Sequence, residues 1–226
     1  MLTSLRRTID RLRAAVAKGS RWKHESGRDY WEERVRRMGR RAVFNRRHAS
    51  GATEKVTADL RAILLPLLSQ CLDGTERTLL DFGCGYGRFT SDFGGLINGA
   101  AIGVDPVEAL LVSANADERT AFWLMRDGRI PMADGSADVI TIIAVLSSIT
   151  DARELASSVA ELRRVLAPRG LVFLADNTSR VPKQPQHVRF RSEAEYIGLF
   201  SFAEMRRIGG YEDLGEKFSV LAGRLR

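Results

Sequence analysis

Leu79-Leu80-Asp81-Phe82-Gly83-Cys84-Gly85-Tyr86-Gly87-Arg88-Phe89 is the stretch that decides the fold. A short apolar run carries one acid and then breaks into three alternate glycines. A strand that ends in glycines and turns into a helix brings backbone N–H groups close to a ligand, a geometry suited to nucleotide-like cofactors. The dinucleotide fingerprint G-x-G-x-x-G would put its third glycine at position 88. Arg88 stands there, and the third glycine falls at 87. Taken alone, the stretch also reads as a plain strand-to-helix turn.

Outward from this loop, apolar strand-like runs alternate with helical periodicities. Strands are expected at 78–82, 101–104, 121–125, 139–146 and 171–175, and helices at 88–96, 109–116 and 151–166. The run at 139–146 is apolar on both faces, as a buried parallel strand should be. A helix at 58–72, bent or interrupted at Pro66, precedes the alternation. A helix at 192–200 and two strands near 206–211 and 218–222 close the chain, the strands forming an antiparallel hairpin across a loop of about half a dozen residues. The β-α-β-α order predicts an α/β fold, a doubly wound and mostly parallel sheet. Ligands then bind beyond the carboxyl ends of its strands.

The 226 residues are enough for one such core plus an accessory segment. The net charge of +7 is concentrated: residues 1–50 hold 15 Lys and Arg against 5 Asp and Glu. The remainder is slightly acidic, which argues against a whole-surface nucleic-acid binder. Leu2, Leu5, Ile9, Leu12 and Val16 recur at helical spacing among arginines, and a second basic stretch with Tyr30 and Trp31 runs over 28–47. Residues 1–52 are therefore expected to form a basic helical extension, packed on a domain at 53–226. Its further readings are a substrate lid, a collar for an anionic substrate or a membrane-surface helix. No apolar run is long enough to span a membrane, and no signal peptide is visible. Cys71 and Cys84 make no disulfide framework, so a cytoplasmic location is expected. Three scattered histidines form no metal-ligand cluster, and no metal is expected.

The acids at successive strand ends sharpen the reading. Asp81 precedes the glycines, Asp105-Pro106 follows the second strand, and Asp127-Gly128 follows the third. A carboxylate after the second strand can take both hydroxyls of a ribose. One after the third can accept from an adenine amine. Each acid alone is a common turn or capping residue; the ordered set is much harder to assign to turns.

On these residues the chain resembles the class I S-adenosylmethionine-dependent methyltransferases, of the small-molecule type related to the ubiquinone-biosynthesis enzymes. The resemblance runs over 76–178. It is carried by 79–89, by Gly103 to Pro106, by the stretch from Asp127 to Val139, by 144–151 and by Glu161 to Leu171. It implies a seven-stranded Rossmann-like sheet with the last strand antiparallel, and S-adenosylmethionine as cofactor. Gly83, Gly85 and Gly87 would lie along the methionyl part. Asp81, beside Phe82, would orient the loop and the cofactor's amino group. Asp105 would hold the ribose with Pro106 shaping the turn, Asp127 and Gly128 would address the adenine, and Ile143 and Ala144 would line the site.

The chain departs from the family at two points. Ser147 and Ser148 stand where many relatives carry histidine, which removes a ready-made base. Pro168-Arg169-Gly170 replaces a Pro-Gly-Gly turn, and arginine in its third position favours a type I turn over type II. Candidate groups for the acceptor side are Asp176 and His187 as bases and Ser148 as a hydrogen-bonding group. No Asp/Asn-Pro-Pro-Tyr/Phe tetrapeptide occurs, no Pro-Cys pair follows a strand, and no carboxylate-rich metal set is present. The expected activity is O-methylation of a small molecule such as a sugar or secondary metabolite. RNA or protein methylation through the basic first residues, and a non-catalytic cofactor-binding subunit, are the alternatives.

Overall fold

The computed structural model describes residues 26–49, 51–182 and 184–226. The helix expected at 2–16 lies outside them. The strands are β1 (Thr78–Phe82), β2 (Ala100–Asp105), β3 (Thr120–Leu124), β4 (Ala137–Ile143), β5 (Leu166–Asn177), β6 (Arg206–Asp213) and β7 (Glu216–Arg224). They form one sheet in the order β3-β2-β1-β4-β5-β7-β6. β1 to β5 run parallel; β7 is antiparallel to both β5 and β6.

Period-two alternation divides the sheet between two apolar layers. Leu79, Val139, Phe173 and Val220 face one side, against Leu64 and Leu68 of α2 (Thr53–Ser69) and Phe93 of α3 (Thr90–Gly94). Leu80, Ile140, Val172 and Leu221 face the other, against Leu155, Leu162 and Val165 of α5 (Ala152–Val165) and Tyr196 of α6 (Glu193–Leu199), numbering α4 as Glu108–Leu111. α5 starts on Asp151, whose carboxylate accepts the N–H groups of Arg153 and Glu154. α6 starts on a capping box between Ser192 and Glu195.

Local boundaries differ from the sequence expectation for identifiable reasons. α2 runs unbroken past Pro66, because the residues beyond it are held by packing: Leu68 is fully buried and Leu67 sits against Gly209. α4 is a single turn; the hydroxyl of Ser113 bonds back to the Leu110 carbonyl at 2.8 Å, and Val112 is left in solvent. β4 stops at Ile143, since Ala144 has φ 57° and cannot continue a strand. The terminal hairpin is tighter than expected. Leu214 and Gly215 alone join β6 to β7, both with positive φ, as a type I′ turn requires. The turn at 168–170 is also corrected. Arg169 has φ 64°, which excludes type I geometry, and its carbonyl accepts from Nη1 of Arg224 at 3.1 Å.

The basic segment begins with α1 (Gly27–Met38), followed by a 3₁₀ turn over Gly39–Val43. Val35 and Ala42 pack on Val107 and Leu110 beyond β2. Buried Arg34 donates to the Tyr30 hydroxyl at 2.9 Å and to the Phe44 carbonyl at 2.7 Å. Arg47 then reaches the terminal hairpin, donating to Glu216 at 2.9 Å and to the Leu214 carbonyl at 3.0 Å. The segment thus lies across the carboxyl ends of the strands, from the β2 side to the β6–β7 side.

Arg164 fixes the stretch that leads from β3 to β4. It forms a two-pronged pair with Glu161, donates to the carbonyls of Ile130 and Met132 and pairs with Asp134, all at 2.7–2.8 Å. Glu161 in turn accepts the N–H of Ile130 at 3.0 Å. The guanidinium holds the Glu161 carboxyl down at about 2. Arg164→Ala leaves two carbonyls and two carboxylates without this donor. It is expected to lower unfolding stability by about 1–3 kcal/mol in urea titrations.

Candidate functional site

β1 and β4 are neighbours in the sheet but lead to opposite halves of it, and the loops after them part to leave a crevice. The crevice is a cavity of about 450 Å³, within the ~300–1,000 Å³ usual for small-molecule sites. The glycine loop forms its floor. The N–H groups of Gly83 and Cys84 both point back to the Val104 carbonyl, at 2.8 and 3.1 Å. Gly83 has φ 70°, and a Cβ there would lie 2.6 Å from the methyl groups of Val145. Gly87 lies behind the loop against the Phe122 ring, and it does not line the cavity.

Two buried acids hold the loop. Asp105 accepts the N–H of Gly85 at 2.9 Å through one oxygen and that of Val107 at 2.8 Å through the other. Asp81 accepts the hydroxyls of Thr90 at 2.6 Å and Thr141 at 3.0 Å. Burial is the main cause that pushes each carboxyl up to about 6, and Asp81 adds to the rise at Asp105 by like-charge repulsion. Each oxygen keeps a lone pair beyond the bond it already accepts. Asp127 and Gly128 turn the chain after β3 with positive φ at both residues. Asp81, Phe82, Gly83, Gly85, Asp105 and Pro106 share the wall with Asp127, Gly128, Ile143 and Ala144.

The acceptor-side candidates separate. Ser148 lines the cavity. Asp176 does not. It is 1% exposed, and its oxygens take the N–H of Ser147 at 3.1 Å and of Asn177 at 2.7 Å. It braces the turn that carries Ser148, together with Arg191, which donates to the carbonyls of Leu146 at 2.6 Å and Ile149 at 2.9 Å. His187 also lies off the wall, stacked on Tyr30 with ring centres 4.6 Å apart. Burial first, then the charges of Arg34 and Arg46, lower it to about 4, which makes it a weak base.

Trp31 reaches the cavity, as the lid reading of the basic segment allowed. Sequence reasoning missed other lining residues: Phe44 and His48 from the basic segment, Tyr211, Asp213 and Phe218 from the terminal hairpin, and Arg88 from the glycine loop. His48 Nε2 lies 3.0 Å from the Asp213 carboxylate. Their separation of 165 positions leaves no local signal for this pair. Arg88 did carry one, a charge directly after the third glycine of a buried loop. Among the described residues no cluster of His, Cys, Asp and Glu suits a metal ion, and no helix is long and apolar enough to cross a membrane.

Residues 80–174 match the model of a methyltransferase domain family. Over those residues the chain carries an S-adenosylmethionine-dependent methyltransferase domain. The match takes in both buried acids, the glycine loop and the turn after β4. No curated protein matches the sequence. In fold, the chain resembles magnesium protoporphyrin IX methyltransferase from Synechocystis, solved with S-adenosylhomocysteine bound. The TM-score is 0.64 at 14% identity, covering 88% of this chain and 98% of that one. It also resembles the YcgJ protein of Bacillus subtilis, with a TM-score of 0.62 at 19% identity over 73% of this chain and 99% of that one. A chain from the complex of the Haloferax volcanii Trm112 methyltransferase activator with a methyltransferase gives 0.61 at 15% identity, over 78% and 95%. The seven-stranded order is that of the methyltransferase Rossmann-like fold.

Gly83→Ala puts a methyl group into Val145 at a backbone angle that L residues avoid. It is expected to cost about 1–3 kcal/mol of stability, and calorimetry should show weakened S-adenosylhomocysteine binding even where the variant stays folded.

Proposed function

We propose that this enzyme methylates a small acceptor enclosed in the cavity, most simply at a hydroxyl oxygen. The observation that carries this reading is the His48–Asp213 pair. It stands on the same cavity wall as Ser148, in a compartment closed over by residues 26–49. Asp81, Asp105, Asp127 and the glycine loop would hold S-adenosylmethionine, the carboxylates matched to its ammonium, ribose hydroxyls and adenine amine. Bound there, the cofactor supplies an electrophilic methyl group. With Nε2–H directed to Asp213, His48 keeps Nδ1 as its basic nitrogen and takes the acceptor's proton. Ser148 orients the acceptor, and Trp31 and Phe44 exclude water as parts of a lid.

The polyanion-docking alternative is less well supported by the described half of the basic segment. Arg28 and Arg37 pair with Glu32 and Glu33 of the same helix, Arg40 bonds the Ser113 carbonyl, and Arg47 is spent on the hairpin. Arg40 and Arg47 thus hold the segment to the body, and the charges of Arg28 and Arg37 are matched within the helix, which leaves them poorly placed for phosphates.

A labelled-methyl assay against fractionated metabolite extracts tests the reading. Asp105→Ala is expected to weaken cofactor binding by about tenfold or more, the cost of losing a ligand-facing buried hydrogen-bonding group. His48→Ala is expected to lower kcat by about 10²–10⁴-fold with KM little changed. Unchanged turnover in His48→Ala would point to an amine or activated carbon that needs no base.

Cofactor affinity should also depend on pH. Asp81 and Asp105 take up protons in the ligand-free protein as the pH falls through about 6. A neutral Asp81 does not pair with an ammonium group, and a neutral Asp105 loses part of its capacity to accept from hydroxyls, so binding weakens below that pH, approaching about tenfold per pH unit for Asp81 and less for Asp105. The effect on the fold has the opposite sign. These acids bind protons more tightly folded than unfolded, so they add stability as the pH drops from about 6 toward their ordinary value of 3.8. Calorimetric titrations with S-adenosylhomocysteine from about pH 7.5 to 5 check the first trend, and Asp81→Asn should flatten it.

A further inference from the structure

The guanidinium of Arg88 is clamped between the rings of Phe44 and Phe89, 4.5 Å from each centre. Its Nε and Nη2 atoms are buried, and neither has a hydrogen-bond partner among the described residues. These two atoms form one edge of the guanidinium, the edge that grips a carboxylate or phosphate with two parallel hydrogen bonds. Buried donors left without partners are expensive, and ring stacking replaces their hydrogen bonds only in part. The neighbouring acid cannot serve them, because Asp213 is engaged by His48 at 3.0 Å.

The position of the charge indicates which ligand it serves. Burial disfavours the charged form of Arg88; Tyr86, Tyr211 and Asp213 favour it, and Arg61 opposes it. Tyr211 and Asp213 of the terminal hairpin line the same cavity as Arg88. Around it the wall is apolar and aromatic: Phe44, Phe89 and Phe218 all line the same cavity.

We propose that Arg88 receives an anionic group of the methyl acceptor, so that the acceptor is an amphiphilic acid: an apolar body bearing a carboxylate or phosphate. This deepens the methyl-transfer reading of the cavity and rests on it. An anion on the Nε–Nη2 edge, which ligand entry must first uncover, would leave the body against the aromatic wall and the group to be methylated toward His48 and Ser148.

The test uses the full chain saturated with S-adenosylhomocysteine and three probes, 1-naphthoate, phenyl phosphate and neutral 1-naphthamide, titrated calorimetrically. At least one oxyanion should bind the wild type about tenfold more tightly than the amide, and which one does distinguishes carboxylate from phosphate. Arg88→Met should abolish that preference. Arg88→Lys, which keeps the charge but loses the two-pronged edge, should fall between. Affinity for S-adenosylhomocysteine should stay within about threefold of the wild type in both variants. The unfolding midpoint of ligand-free Arg88→Met should equal or exceed that of the wild type, since buried donors without partners have been replaced by an apolar chain of similar length.

Absence of any oxyanion preference in the wild type overturns the proposal. So does a lowered unfolding midpoint with the preference retained, which marks Arg88 as a structural clamp. A loss of S-adenosylhomocysteine affinity of about tenfold in Arg88→Met, removed when the ligand lacks its carboxylate, also overturns it by assigning the guanidinium to the cofactor. Failure of the wild type to bind S-adenosylhomocysteine at all would instead sink the methyl-transfer reading itself.

Discussion

The carboxylate of Asp105 ties the site together. One oxygen holds the N–H of Gly85 and the other that of Val107, so a single side chain at the end of β2 fixes the glycine loop after β1 and the turn after itself. The sheet makes this possible. β1 and β2 are parallel and in register, with Phe82 beside Val104, so their carboxyl ends open into the same space. Without the acid, the loop N–H of Gly85 would be buried unpaired, and the backbone that shapes the cavity floor would have no reason to keep its form.

Asp81 and Asp105 are both buried, and the charge of Asp81 raises the cost of ionising Asp105. Two such acids are an expensive arrangement for packing alone, since threonine hydroxyls and backbone N–H groups compensate only part of the desolvation. Perturbed carboxyls on the wall of one cavity are what a site for a cationic, hydroxyl-bearing ligand requires. The same cavity also carries the guanidinium of Arg88, held against the rings of Phe44 and Phe89. One space therefore carries groups of both charges, and the segment 26–49 closes over it by joining the β2 side to the terminal hairpin.

Much of the fold was legible because its signals are local. Leu79 and Leu80 face opposite layers, as the alternation of a two-sided strand dictates, and the order of strands and helices followed from their periodicities. The errors fall where tertiary contact overrides local preference. Arg169 adopts a left-handed angle that its residue type disfavours, with its carbonyl held by Arg224 from β7. α2 passes Pro66 because Leu68 is buried beyond it. Leu214 enters a positive-φ turn that a leucine does not advertise.

By itself, the sequence determined the class of fold and the kind of cofactor. Strand-end acids and alternate glycines are short-range features, placed by the parallel sheet wherever the alternation holds. Tertiary structure alone decided the acceptor side. It moved Asp176 into a buried bracing role, stacked His187 on Tyr30, and brought His48 to Asp213 and Arg88 to Phe44. The reason is physical: the groups proposed for catalysis and specificity come from segments far apart in the chain, and burial and charge act on distance in space, which residue spacing does not encode.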